Sequence, residues 1–179
     1  MIRFEKIGFE QYKKDFVSAG LYDKSLAEGE EFLTYVKNIY DKIKLPKRAT
    51  IGSAGYDFFS PICVDLSSRV DSGIKDNIII PTGIRWITDR DDVVLFLFPR
   101  SGLGFKYGVS LKNTVGVIDS DYWCSSNEGH IMVKLQSDSH VTFDAGDAFC
   151  QGVMVPFLKT DEEALICVVR NGGFGSTDA

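Results

Sequence analysis

The strongest constraint on the fold is the texture of the chain after Pro46. Apolar residues come only in short runs, and Gly, Pro, Asn and Asp stand between them. Asn77-Ile78-Ile79-Ile80 leads into Pro81-Thr82-Gly83, and Ile84-Arg85-Trp86-Ile87-Thr88 alternates. Val93 to Phe98 is an unbroken apolar run of strand length. Ile131 to Leu135 and Val141-Thr142-Phe143 alternate again, and Gly152 to Phe157 and Leu165 to Val169 close the series. Short strands with frequent turn signals predict a sandwich or barrel-like all-β fold. A doubly wound parallel sheet needs helices between its strands, and no such rhythm is present.

The first 45 residues follow a different period. Phe9, Tyr12 and Phe16 lie at helical spacing, and Phe32, Val36, Ile39 and Ile43 repeat at four and three, with Leu33 and Tyr40 widening that face. Gly20 and Gly29 are expected to divide residues 8–45 into two helices, and Pro46 to stop the second. With 179 residues the chain is read as one β domain carrying this helical insertion and a mobile glycine-rich tail at residues 170–179. No apolar stretch approaches the ~18 residues that span a bilayer, and the charged start Met1 to Lys6 has no signal-peptide core, so a cytoplasmic location without membrane contact is expected. Cys63, Cys124, Cys150 and Cys167 are too scattered for a zinc knuckle or redox pair and are expected to be reduced and mostly buried. His130 and His140 are too isolated to complete a tetrahedral site. A net charge of −5 excludes a nonspecific nucleic-acid binder, which needs a basic stripe, but leaves a small nucleotide open.

Four segments carry chemistry. Pro99-Arg100-Ser101-Gly102-Leu103-Gly104 follows the buried strand; its glycines let backbone N–H groups approach phosphate oxygens, and Arg100 adds a forked charge. Gly116-Val117-Ile118-Asp119-Ser120-Asp121-Tyr122 places carboxylates where one could orient a water as general base. Gly146-Asp147 precedes Gln151, whose amide can donate to phosphate. The ending Arg170-Asn171-Gly172-Gly173-Phe174-Gly175-Ser176-Thr177 sets an aromatic face among glycines and hydroxyls. Each segment alone is also what an ordinary turn or tail shows.

In their order and spacing, and with Ala54-Gly55-Tyr56-Asp57 ahead of them, these segments resemble the five ordered motifs of the trimeric dUTPase family, from about residue 45 to 177. The resemblance implies a β-clip, jelly-roll-like homotrimer with shared active sites that hydrolyses dUTP to dUMP and pyrophosphate with Mg²⁺. It implies that Asp119 orients the attacking water and contacts the 3′-hydroxyl. Arg100, Ser101, Gly102 and Gln151 would bind the phosphates, and Asp57 would reach the metal through water. Asn113, Gly116 and Ile118 would frame the uracil, and Tyr122 would pack on the deoxyribose and leave no room for a 2′-hydroxyl. Arg170, Phe174, Gly175, Ser176 and Thr177 would close over base and phosphates.

Three departures from the family pattern stand out. Trp123-Cys124-Ser125-Ser126-Asn127-Glu128 lengthens motif three and is expected to form a longer hairpin tip. Only Asn171 separates Arg170 from Gly172, and Asp178 replaces a terminal glycine. The helical segment is expected to pack on the barrel, to restrict the site entrance, or to dock a regulatory partner. A dCTP deaminase of the same fold is the nearest alternative, but Ile131 to Leu135 lacks the Glu that such an enzyme uses. A regulatory protein that keeps the fold is the other.

Overall fold

The computed structural model describes residues 1–66, 68–69, 74–75 and 77–162. Strand β1 (Ile2–Lys6) leads to helices α1 (Phe9–Ser18) and α2 (Glu30–Asp41). Then come β2 (Lys47–Arg48), β3 (Tyr56–Phe59), β4 (Val64–Leu66), β5 (Ser68–Arg69), β6 (Ile74–Lys75), β7 (Asn77–Pro81), β8 (Ile84–Thr88) and β9 (Val93–Pro99). A short helix α3 (Ser101–Tyr107) precedes β10 (Ser110–Leu111), β11 (Gly116–Ile118), β12 (Met132–Gln136), β13 (Val141–Phe143) and β14 (Ala148–Pro156).

All strand pairings are antiparallel. The largest sheet among the described residues has the order β11-β9-β14-β3-β2, and a second has the order β10-β12-β7. Pairs β1-β8, β13-β4 and β5-β6 complete the set. The buried run Val93–Pro99 lies between two partners, as an almost wholly apolar strand must. Its core-facing Leu95 and Leu97 share one apolar interior with Phe58, Ile80, Ile84, Ile131, Leu135 and Phe149.

The helices belong to that same interior. Tyr12 and Phe16 of α1 and Phe32 and Val36 of α2 are buried in it, while Leu33 turns out to be exposed. The second helix ends at Asp41, before Pro46, because Lys42 and Ile43 donate backwards to Ile39 and Tyr40 and tighten the last turn. Ile43 then drops into the barrel beside Gly83. A Cβ on Gly83 would stand 2.3 Å from Ile43 Cδ1, and its φ of +72° lies in the left-handed region, so only glycine fits that turn.

Strand β1 was not apparent from the sequence pattern. It covers β8 with Ile2 opposite Thr88 and Lys6 opposite Ile84, which blunts an otherwise open sheet edge. Two thiols expected to be buried are not: Cys63 and Cys124 are exposed and only Cys150 is buried, while Cys167 lies outside the described residues. No helix among the described residues is long and apolar enough to cross a membrane.

Candidate active site

One end of β9 gathers charge. Arg100 follows the strand, and antiparallel pairing puts Gln151 of β14 beside Phe98 on one flank and Asp57 of β3 on the other. Arg100 Nε lies 3.4 Å from Asp57 Oδ1, and Arg100 N–H donates to Phe149 O at 3.3 Å. A Cβ on Gly55 would come within 2.6 Å of Gln151 Oε1, so the glycine of the first motif makes room for the amide of the fourth.

The expected glycine loop at 100–104 is instead the start of α3. Arg100 O accepts from Leu103 and Gly104, which makes Arg100 the first cap residue. The N–H groups of Ser101 and Gly102 have no partner within a helix at that position and suit an external acceptor. Arg100, Ser101, Gly102, Lys106, Tyr107 and Asp147 line an open cavity of about 530 Å³. Lys106 is a cation that the motif reading missed. Asp147 acts as a turn residue: its carboxylate accepts from Asp144 N–H at 3.0 Å and its carbonyl from Ser60 N–H at 2.8 Å.

A second cavity, about 260 Å³, opens on the other flank of β9, beside β11. Asn113, Gly116, Ile118 and Tyr122 line it together with Leu97, Met132 and Val133. Between its lining residues Asn113 and Val115 the backbone turns tightly: Thr114 has a φ of 68° and Val115 N–H donates to Asn113 O at 2.7 Å. Asp119 follows β11 directly and is half-buried, and its carbonyl accepts from Tyr122 N–H at 3.1 Å.

Tyr122 is buried and starts a 3₁₀ turn, Tyr122–Cys124. The lengthened segment is therefore a compact turn rather than a hairpin tip. It closes on Gly129, where an added Cβ would lie 2.4 Å from Trp123 Cα. Tyr122 Oη donates to His130 O at 3.1 Å and accepts from Asn127 Nδ2 at 3.0 Å. Asn127 and His130 carried no motif signal. Ser18, at the end of α1, lines a neighbouring cavity that shares Asn113 and Met132 with this one, so the helical segment reaches the rim of the site.

The structure thus brings Asp57, Arg100, Ser101, Gly102 and Gln151 together, and separately Asn113, Gly116, Ile118, Asp119 and Tyr122. The two groups lie on opposite flanks of β9. Ile118 stands opposite Leu95, so the carboxylate end of β11 is about 16 Å from Arg100 along β9, at ~3.3 Å per residue. Arg170, Phe174, Gly175, Ser176 and Thr177 lie outside the described residues. The described residues contain no cluster of three His, Cys, Asp or Glu side chains able to hold a metal.

Comparison with known proteins places this arrangement. The deoxyuridine 5′-triphosphate nucleotidohydrolase of Lactococcus lactis is 37% identical over 155 residues, covering 84% of this chain and 97% of the relative. That of Glaesserella parasuis is 38% identical and covers 78% of this chain and 90% of the relative. The crystal structure of dUTPase from Streptococcus mutans superposes with a TM-score of 0.56 at 38% identity, covering 65% of this chain and 88% of that one. A mutant dUTPase from phage phi11 of S. aureus, whose structure details the coordination of a structural Mg(II) ion, matches with a TM-score of 0.53 over 68% of this chain and 89% of that one. At 19% identity that likeness speaks for the fold alone. The family model described as dUTPase matches residues 41–178, and with relatives of this identity and coverage the chain belongs to the dUTPase family.

Proposed function

We propose that the protein hydrolyses dUTP to dUMP and pyrophosphate in sites completed between copies of the chain, as a homotrimer. The observation that carries this reading is that β9 separates two half-sites on its opposite flanks. One offers Arg100, Ser101, Gly102 and Gln151, the donors a triphosphate needs. The other offers a small cavity lined by Asn113 and Tyr122, with Asp119 beside it. Neither is complete for a nucleotide by itself, and neighbouring copies bring one of each together.

In the reaction proposed, Asp119 orients a water for in-line attack on the α-phosphorus and takes up its proton. Arg100, the Ser101 and Gly102 amides, Gln151 and Lys106 hold the phosphates and receive the charge that moves onto the leaving pyrophosphate. Positioning dominates, since little covalent work falls to the protein. Backbone groups at 113–116 select uracil, and Tyr122 excludes a 2′-hydroxyl. The tail residues from Arg170 to Thr177 complete the site over base and phosphates. Mg²⁺ suits this donor set, because a hard cation held largely by substrate and water oxygens needs no protein cage, and Asp57 supplies a carboxylate beside the phosphate donors. When bound, such an ion neutralises phosphate charge.

The test is subunit complementation. Asp119→Asn and Arg100→Ala each lower pyrophosphate release from dUTP, the former by about 10³-fold. Unfolded together and refolded as mixed oligomers, they recover activity that neither has alone, because some sites then combine an intact Asp119 with an intact Arg100. Mixed oligomers without recovery would reject sharing between copies. Wild-type protein that releases no pyrophosphate from dUTP would reject the activity itself, and ammonia from dCTP would point to the deaminase.

A further inference from the structure

The two segments that depart from the family pattern, the helical insertion and the lengthened motif three, are bonded to each other. Helix α1 meets the turn at both ends. At its start, Gly8 N–H donates to Glu128 Oε2 at 2.7 Å. One helical length further on, Asp15 Oδ2 lies 2.6 Å from Nδ1 of the fully buried His130. The other ring nitrogen, Nε2, accepts from Gly83 N–H at 2.8 Å, so it carries no proton. The ring proton therefore sits on Nδ1 and is donated to the Asp15 carboxylate. Asp15 Oδ1 in turn accepts from Gln11 Nε2 at 2.9 Å, and the Tyr12 ring lies 6.0 Å from the imidazole.

The clamped residue is the one that holds the pocket wall. His130 O accepts from Tyr122 Oη, and Asn127 Nδ2 bonds both Tyr122 Oη and, at 3.3 Å, His130 O. Ser125 Oγ lies within hydrogen-bond distance of Tyr122 O and Asn127 Oδ1. The segment between Tyr122 and His130 contains only a 3₁₀ turn and non-repeating turns, with Glu128 at a φ of 59°. Its shape thus rests on these few bonds and on the helix behind it.

We propose that Asp15 and His130 are positioning residues that fix Tyr122 against the sugar, so that the helical insertion sets the discrimination against a 2′-hydroxyl. The proposal rests on the assignment of Tyr122 to the deoxyribose made above. A hydroxyl is rejected only where the wall cannot yield, and a wall made of turns yields unless it is braced from behind.

The experiment compares dUTP and UTP kinetics, with thermal midpoints, for wild type, Asp15→Ala, Asp15→Asn, Glu128→Ala and Tyr122→Ala. Asp15→Ala raises KM for dUTP about tenfold, changes kcat little and narrows the preference for dUTP over UTP by about tenfold. Asp15→Asn keeps an oxygen that accepts the His130 Nδ1 proton, and it stays near wild type in both respects. Glu128→Ala, at a half-buried position, shifts KM and preference in the same direction by a smaller factor, and gives the answer should Asp15→Ala fail to fold. Variants with a lowered thermal midpoint but wild-type KM and preference overturn the proposal, leaving the pair a stabilising contact. A Tyr122→Ala variant with unchanged preference overturns the sugar assignment instead, whatever Asp15 does.

Discussion

Where the phosphates are proposed to bind, Arg100 is 45% exposed and stands with Ser101, Gly102 and Lys106 around an open cavity. Where the nucleoside is proposed to bind, Tyr122 is buried, and its hydroxyl is bonded on both sides. On that proposal the two regions recognise different things. Charge acts over several ångströms, so a guanidinium and a few amides can gather a triphosphate without a rigid frame. The presence or absence of one hydroxyl is a matter of shape, and shape is read only by a wall that resists displacement. Of the two helices, α1 lies directly behind the turn that carries Tyr122.

The sharpest way to break that contrast is to loosen the helices. Phe32→Ala removes a ring buried where α2 meets the common interior and lowers unfolding free energy by about 3–5 kcal/mol. In denaturant titrations this is the largest effect expected. In the folded protein the dUTP-over-UTP preference falls while inhibition by pyrophosphate is retained; loss of both together would mean that the helices brace the whole site. Next in size, Arg100→Ala lowers kcat/KM by about 10²-fold, roughly 2.7 kcal/mol. Parallel assays with dUTP and UTP should show the same factor for each, because the nucleoside wall is untouched. A changed preference would tie the two regions together.

The smallest effect expected is a pH dependence on the β1 side. Glu5 bonds Arg3 on its own strand and Arg85 across the β1-β8 pair, and these hydrogen bonds, Arg3 first, hold its carboxyl below its ordinary value of 4.5. A depressed carboxylate stabilises the fold above that ordinary value and loses its contribution as pH falls through the folded value. Denaturant midpoints of wild type and Glu5→Gln, followed by circular dichroism at a series of pH values, should differ slightly at neutral pH and converge as pH falls through the folded value.

Much of this was written in the local pattern. The alternations at Ile84–Thr88 and Val141–Phe143 and the apolar Val93–Pro99 are strands in place, and the helical stripe from Phe32 to Ile43 is buried except at its flank. What escaped is long-range or depends on few residues. Ile2–Lys6 alternates, but five residues with three charges show a strand only once β8 is there to pair with. Ser101–Tyr107 holds two glycines and no helix-start signal, so its helix follows from the cap at Arg100 rather than from propensity. The motif spacing pointed to Arg100, Asp119, Gln151 and Tyr122, because each carries its chemistry in its side chain. It said nothing of Asp15 and His130, since a lone aspartate and a lone histidine 115 residues apart have no periodicity to betray their contact.

That separation also orders events in time. Synthesis begins at the amino end, so β1, α1 and α2 leave the ribosome long before their partners exist. Strand β1 waits for β8, with Glu5 and Arg85 80 residues apart, and α1 waits longer still for His130. The first part of the chain to be made is therefore among the last to settle. Until it does, the apolar faces of Tyr12, Phe16, Phe32 and Val36 travel uncovered. A nascent chain halted before residue 130 would carry an exposed apolar hairpin of helices, and the clamp on Asp15 can close only once His130 has left the ribosome.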